Sequence, residues 1–82
     1  MVMSEHTRDD VLRRVKKRLK ESDGDHSGAI RMTMWAIDRR YRLAHRAAAR
    51  GRLDLATWHD GYAVLDQHVV RELERLAAVS GD

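Results

Sequence analysis

The chain reads as all-α: a short basic N-terminal helix followed by a long antiparallel helical hairpin. Three observations carry that reading. Ile30, Met34, Ile37, Tyr41, Ala44 and Ala48 recur at alternating spacings of four and three, and Leu55, Trp58, Tyr62, Leu65, Val69, Leu73 and Leu76 do nearly the same. Such spacing gathers each set on one side of an α-helix, so the two sets can pack face to face. Between them stands Gly51-Arg52, a tight turn that folds the second long helix back along the first. Proline and phenylalanine are both absent, which favours helices with short connections over strands.

The first helix is expected over 8–21. Thr7 with Asp10 three residues later forms a capping-box pattern, aspartate standing in for the usual glutamate or glutamine. Its apolar residues are few, Val11, Leu12, Val15 and Leu19, and Arg13, Arg14, Lys16, Lys17, Arg18 and Lys20 surround them. A short helix of this kind is marginal alone and needs docking to persist. Ser22 to Gly28 is rich in turn and cap formers and reads as the first loop, with Asp25 or Ser27 capping the next helix. That second helix is expected over 29–50, roughly 33 Å long at 1.5 Å per residue. Gly51 supplies a left-handed stop.

The third helix is expected over 54–79. Asp60-Gly61 is a turn signal inside it, and a glycine there costs about 1 kcal/mol. The apolar stripe nevertheless keeps its phase from Trp58 through Tyr62 to Leu65, so one continuous helix is expected. The extreme termini are expected to be disordered.

Eighty-two residues make one small domain. A chain of this length buries only about 60% of its unfolded surface, and self-association is a common remedy where disulfides and metals are lacking. Cysteine is absent, which removes disulfides, thiolate zinc sites and cysteine nucleophiles. No apolar run approaches the roughly 18 residues of a membrane span, and Met1 to Asp10 lacks the apolar centre of a secretory signal, so a cytoplasmic protein is expected. Charge is high, at 35% of residues, and segregated. Residues 1–53 hold twice as many basic as acidic side chains, whereas 54–82 hold three acids for every base. Only Lys16, Lys17 and Lys20 among the basic residues are lysines, and alanine is abundant, a composition expected of a GC-rich bacterial or phage genome.

The second helix carries apolar residues on more than one side. Away from its main stripe lie Met32, Trp35 and Leu43, interleaved with Arg39 and Arg46. Either the first helix covers this second face or another chain does. Aromatic and arginine side chains dominate interface energetics, so Met32, Trp35, Arg39, Leu43 and Arg46 form the candidate partner surface of a non-enzymatic interaction or regulatory protein, expected to be dimeric. The alternative is a nucleic-acid-binding module contacting phosphates through Arg13, Arg14, Lys17, Arg18 and Lys20. No helix-turn-helix or aromatic RNA-binding pattern accompanies those cations, so the contacts expected are to backbone and salt-dependent.

Asp23-Gly24-Asp25-His26-Ser27-Gly28-Ala29-Ile30 resembles the front of an EF-hand calcium loop. That resemblance implies ligands at Asp23, Asp25 and Ser27, but the twelfth position, where the family has a bidentate glutamate, is Met34. A degenerate, weak site is the most it implies, and no metal or other cofactor is expected. His6, His26, His45, His59 and His68 show no zinc-ligand spacing, although His45 and His59 fall at similar height in a hairpin centred near Arg52. Arg40 to His45 resembles the Arg-x4–6-His pair of HEPN ribonucleases, which are larger four-helix units. An arginine-rich helix produces that spacing by chance, and no other catalytic constellation is present, so no enzymatic activity is expected.

Overall fold

The computed structural model describes residues 7–80, which form three helices and no strand. The expected disorder of the extreme termini and His6 lie outside the described residues. Helix α1 spans Arg8–Glu21, α2 His26–Ala49 and α3 Leu53–Ser80. The two long helices make an antiparallel hairpin, and α1 lies against α3 more extensively than against α2. The radius of gyration, 13.8 Å, exceeds the roughly 12 Å of a compact chain of this length. The smallest dimension is only 17 Å. Much of the hairpin is therefore a surface rather than an interior.

Local chemistry sets each boundary. Thr7 closes a reciprocal capping box: Asp10 N–H donates to Thr7 Oγ1 at 3.3 Å, and Thr7 N–H donates to Asp10 Oδ2 at 2.9 Å. Both long-helix connections are Schellman turns. At the end of α1, Gly24 N–H reaches Leu19 O at 2.8 Å and Asp23 N–H reaches Lys20 O at 3.2 Å. At the end of α2, Arg52 N–H reaches Ala47 O and Gly51 N–H reaches Ala48 O, each at 2.9 Å. Gly51 takes the left-handed conformation with φ 77°, whereas the equivalent position in the first turn is Asp23, at φ 55°.

Helix α2 starts three residues before its expected first residue, because the first turn is complete by Asp25. Ala29 N–H already donates to Asp25 O at 2.9 Å. Asp25 is the N-cap by backbone conformation, but its side chain makes no capping hydrogen bond. That carboxylate lies over Gly28: a Cβ on Gly28 would stand 2.8 Å from Asp25 Oδ2. Gly28 is thus a helical residue that keeps space open, not a loop terminator. Helix α3 runs unbroken through Gly61, as its stripe predicts.

The seam between α2 and α3 departs from the expected stripes. Buried on α2 are Ala29, Thr33, Ala44 and Ala47, and buried on α3 are Ala56, His59, Ala63, Leu65, Asp66, Val69, Glu72 and Leu73. Of the expected α2 stripe Ala44 is buried and Ile30 packs on the core, but Met34 is 57% exposed and Tyr41 42% exposed, so the contact face is rotated from the stripe towards Ala29, Thr33 and Ala47. On α3 the lower half of the stripe, Leu65, Val69 and Leu73, is buried as expected, but Trp58 is 52% exposed. The physical reason is size. Alanine and threonine let two helix axes approach closely, and larger side chains are left on the flanks. Val15 of α1 completes the main core with Ala29, Val69 and Leu73, and Val11, Leu19, Ile30 and Leu76 pack around them. Leu12, assigned to the α1 stripe by spacing, is exposed.

A seam of small residues is intolerant of bulk. Ala63→Leu is expected to lower stability by about 1–3 kcal/mol through overpacking, whereas Met34→Ala is expected to change it by no more than about 0.5 kcal/mol. Urea denaturation midpoints of the two variants test the assignment of the contact face. The reverse ranking would restore the original stripe.

Candidate functional site

Helix α1 is held to α3 by a buried carboxylate. Asp66 is fully buried, and Arg14 Nε donates to its Oδ1 at 3.0 Å. Arg18 Nη2 forms an ion pair with Oδ2 at 3.6 Å. Burying a carboxylate is costly unless cations and hydrogen bonds compensate. Arg14 supplies both, whereas Arg18 adds charge alone and leaves Asp66 Oδ2 and its own Nε buried without a hydrogen-bond partner. Glu72, also buried, makes a second anchor. Arg75 donates to it from both Nε and Nη2, and Arg8 of α1 lies 3.7 Å away. The Arg75 hydrogen bonds hold the Glu72 carboxyl below its ordinary pKa against the opposing effect of burial, with Arg75 and Arg8 adding charge attraction.

Roughly 100° around α1 from Arg14 and Arg18 stand Arg13 and Lys17, again one turn apart. They face a cleft of about 800 Å³ between α1 and the first half of α3. Asp10, Arg13, Arg14 and Lys17 form one wall, and Thr57, Trp58, Gly61, Tyr62 and Leu65 the other. Asp10 Oδ1 accepts from Arg13 Nη2 at 2.9 Å, which steadies that guanidinium at the rim. Trp58 and Tyr62 meet edge to face with centroids 5.0 Å apart. Arg14 lies over the Tyr62 ring at 5.4 Å.

Arg40 of α2 supports the aromatic wall from outside the cleft lining. Its guanidinium lies 5.0 Å from the Trp58 centroid and 4.8 Å from that of Tyr62. Arg40 Nη1 is also 3.0 Å from Nδ1 of the buried His59. Arginine can only donate, so His59 Nδ1 is assigned as the acceptor and the ring as the neutral Nε2–H tautomer. Burial first, then the Arg40 charge, pushes the His59 pKa below its ordinary value, with Asp60 opposing and Arg39 adding slightly. The His59 edge contact with Trp58, at 5.0 Å, links this polar knot to the cleft.

The structure therefore divides the expected phosphate-binding set. Arg18 turns inward to Asp66, Arg14 pairs with Asp66 while also lining the cleft beside Arg13 and Lys17, and Lys20 is exposed beyond it. The expected partner surface is placed differently again. Trp35 is 61% exposed with Arg39 stacked over it at 5.9 Å, Met32 and Arg46 are exposed, and Leu43 is half-buried. Helix α1 does not cover Trp35. A second cleft, of about 440 Å³, opens where Met34, Ile37, Asp38 and Tyr41 of α2 meet Gln67, Val70, Arg71 and Glu74 of α3. Gln67 Nε2 donates to Tyr41 OH across it at 2.7 Å. Spacing alone had assigned Met34, Ile37 and Tyr41 to the interior, which hid this cleft.

The EF-hand resemblance does not extend to the fold. The chain is helical from His26 onward, so Ser27 and all later positions of that pattern lie on α2 instead of wrapping around an ion. Among the described residues no group of three or more histidine, cysteine, aspartate or glutamate side chains is placed to hold a metal. His59 is engaged by Arg40 while His45 is exposed, so these two do not converge. Arg40 and His45 likewise face apart: Arg40 turns into the aromatic knot. No helix of the described residues is long and apolar enough to cross a membrane. Comparison with protein-family models, with curated proteins and with solved structures gave no match.

Both perturbed acids and bases act in one direction with pH. His59 is kept neutral in the folded protein, so the unfolded chain binds its proton first, and stability present above pH about 6.5 is lost as pH falls towards the folded-state pKa. Glu72 is kept ionised, so its contribution is present above the ordinary glutamate value of about 4.3 and is lost as pH falls through the depressed one. The urea midpoint is expected to fall in two windows between pH 8 and pH 3. His59→Gln removes the upper window only. An upper window that survives this substitution would assign it to another group.

Proposed function

We propose that this protein is a non-enzymatic helical interaction module that works through its helix faces and associates with a second copy of itself. One observation carries the proposal: large apolar side chains stand outside a seam built from small ones. Met34, Trp35 and Tyr41 are each more than 40% exposed, and Met32 is close behind. Exposed apolar residues are ordinary when scattered. Here four of them stand on one stretch of α2, from Met32 to Tyr41, and a chain this short gains most by covering them.

Two faces are available for that association. The cleft of Met34, Ile37, Tyr41 and Val70 is concave, and its rim carries Asp38 and Glu74 as well as Arg71. A two-fold axis through such a rim can bring Arg71 of each copy to an acid of the other, as isologous contacts require. On the outer face of Met32, Trp35 and Leu43, with Arg39 and Arg46, Trp35 already has Arg39 over it. The concave face therefore fits a second copy better, and the Trp35 face fits a different protein partner.

Light scattering coupled to size-exclusion chromatography, run across a hundred-fold range of protein concentration, tests the proposal. A dimer is expected, converted to monomer by Met34→Asp and unaffected by Trp35→Asp. Dissociation by Trp35→Asp instead would move the interface to the outer face. A monomer at every concentration would overturn self-association.

A further inference from the structure

We propose that the cleft between α1 and α3 binds a nucleobase joined to a phosphate, with the base stacked on Trp58 and the phosphate held by Arg13 and Lys17. The cleft has the size expected of a small-ligand site, about 800 Å³. It also has two chemically distinct walls. One carries cations from α1, and the other is an aromatic pair with Leu65 beneath it and Gly61 beside it. An anion with a flat apolar part satisfies both walls at once. A purely apolar ligand would make no use of the basic wall, and a simple anion would leave the indole exposed.

The arrangement behind the aromatic wall sharpens the choice. Arg40 lies against Trp58 and Tyr62 without lining the cleft. A cation held near an aromatic ring draws on its negative quadrupole, so the ring is less attractive to a second cation and more attractive to an electron-rich plane. A nucleobase is such a plane. Arg40 also fixes the ring positions through its contact with His59 Nδ1 at 3.0 Å, so stacking requires little reordering. Trp58 itself is 52% exposed, which leaves ring surface for a ligand.

The cations are positioned rather than merely abundant. The pairing of Arg14 and Arg18 with Asp66 sets the roll of α1 so that Arg13 and Lys17 line the cleft opposite the aromatic wall, with Arg14 between them and Tyr62. Arg13 is steadied by Asp10. A nucleotide can come from a free mononucleotide or from one unit of a single strand, and the ligand chemistry is shared. Base stacking with backbone cations is the mode that single-strand binders use, and it tolerates any sequence.

Titration by fluorescence tests the proposal. The chain has two tryptophans, so Trp35→Phe leaves Trp58 as the only indole. In that background, at 50 mM salt, a ten-nucleotide deoxyadenosine single strand and adenosine monophosphate are each titrated, with a blunt duplex and a poly-glutamate peptide as controls. Quenching by the mononucleotide supports a free-nucleotide source, and quenching by the strand alone supports a single-strand source. Trp58→Ala, read by polarisation of a labelled strand or mononucleotide, is expected to weaken binding about ten-fold. Lys17→Gln is expected to weaken it and to flatten its salt dependence by about one in log–log slope. Far-ultraviolet circular dichroism verifies that both variants stay folded. Equal affinity for duplex and single strand, equal quenching by poly-glutamate, undiminished binding by folded Trp58→Ala, or no binding at all would each overturn the proposal.

Discussion

The close approach of α2 and α3 is the constraint from which the rest of the molecule follows. Near the turn Ala44 and Ala47 of α2 pack with Ala56 of α3, and at the far end Ala29 packs with Val69 and Leu73, while Thr33 and Ala63 are fully buried between them. Thr33 fits because its hydroxyl is returned to the backbone, donating to Ala29 O at 2.7 Å. Tight seams bury little area per residue, so the hairpin alone is poorly supplied with hydrophobic stabilisation. The larger cluster forms only where α1 adds Val15 to Ala29, Val69 and Leu73. The same closeness displaces Met34, Tyr41 and Trp58 to the flanks, and both clefts are consequences of that displacement.

Asp66 then determines how α1 completes the fold. A fully buried carboxylate without its arginines would be strongly destabilising, so α1 cannot roll freely on α3. The sequence Arg13-Arg14-Val15-Lys16-Lys17-Arg18 contains two interleaved pairs, each spaced by four. Arg14 and Arg18 pair with the acid, Arg13 and Lys17 line the cleft, and Arg14 borders both. Cations that look uniform along the chain are thus divided by one residue on another helix. Apolar docking by Val11, Val15 and Leu19 sets how tightly α1 binds, and the acid sets which of its faces is presented.

The three helices and most of their ends were legible in the sequence because they depend on local chemistry: the Thr7–Asp10 box, Gly51, and the phase of the α3 stripe through Gly61. The start of α2, three residues earlier than expected, was not. Nor was the contact face of α2. Positions 29, 33, 36, 40, 44 and 47 also recur at spacings of three and four and share Ala44 with the expected stripe, but they include Thr33 and Arg40, and alanine gives little hydrophobic signal. Larger apolar side chains one position away gave a stronger pattern and the wrong face. Burial of His59 and Asp66 was equally hidden, since each depends on a partner from another helix. Arg40 for His59 and Arg14 for Asp66 become visible only when the helices are placed together. The aromatic cleft shares this origin. Trp58 and Tyr62 read as core by spacing, and their exposure follows from the size of their neighbours.

The two clefts lie on different sides of α3, and this makes the two proposed roles compatible. Trp58, Tyr62 and Leu65 line one cleft, while Gln67, Val70 and Glu74 line the other, and no residue is shared. Their chemistry also differs. The α1 side presents cations against aromatic rings, which suits an anion, whereas the α2 side presents apolar side chains with both signs of charge at the rim, which suits a like surface. A copy seated on Met34 and Tyr41 leaves Arg13, Lys17 and Trp58 uncovered. A dimer formed in this way carries two stacking clefts on one body, so a strand long enough to reach both meets the second at high effective concentration. A free mononucleotide gains nothing from that geometry. Self-association would therefore strengthen binding of a polymer selectively, by an amount set by the span between clefts and without any new contact.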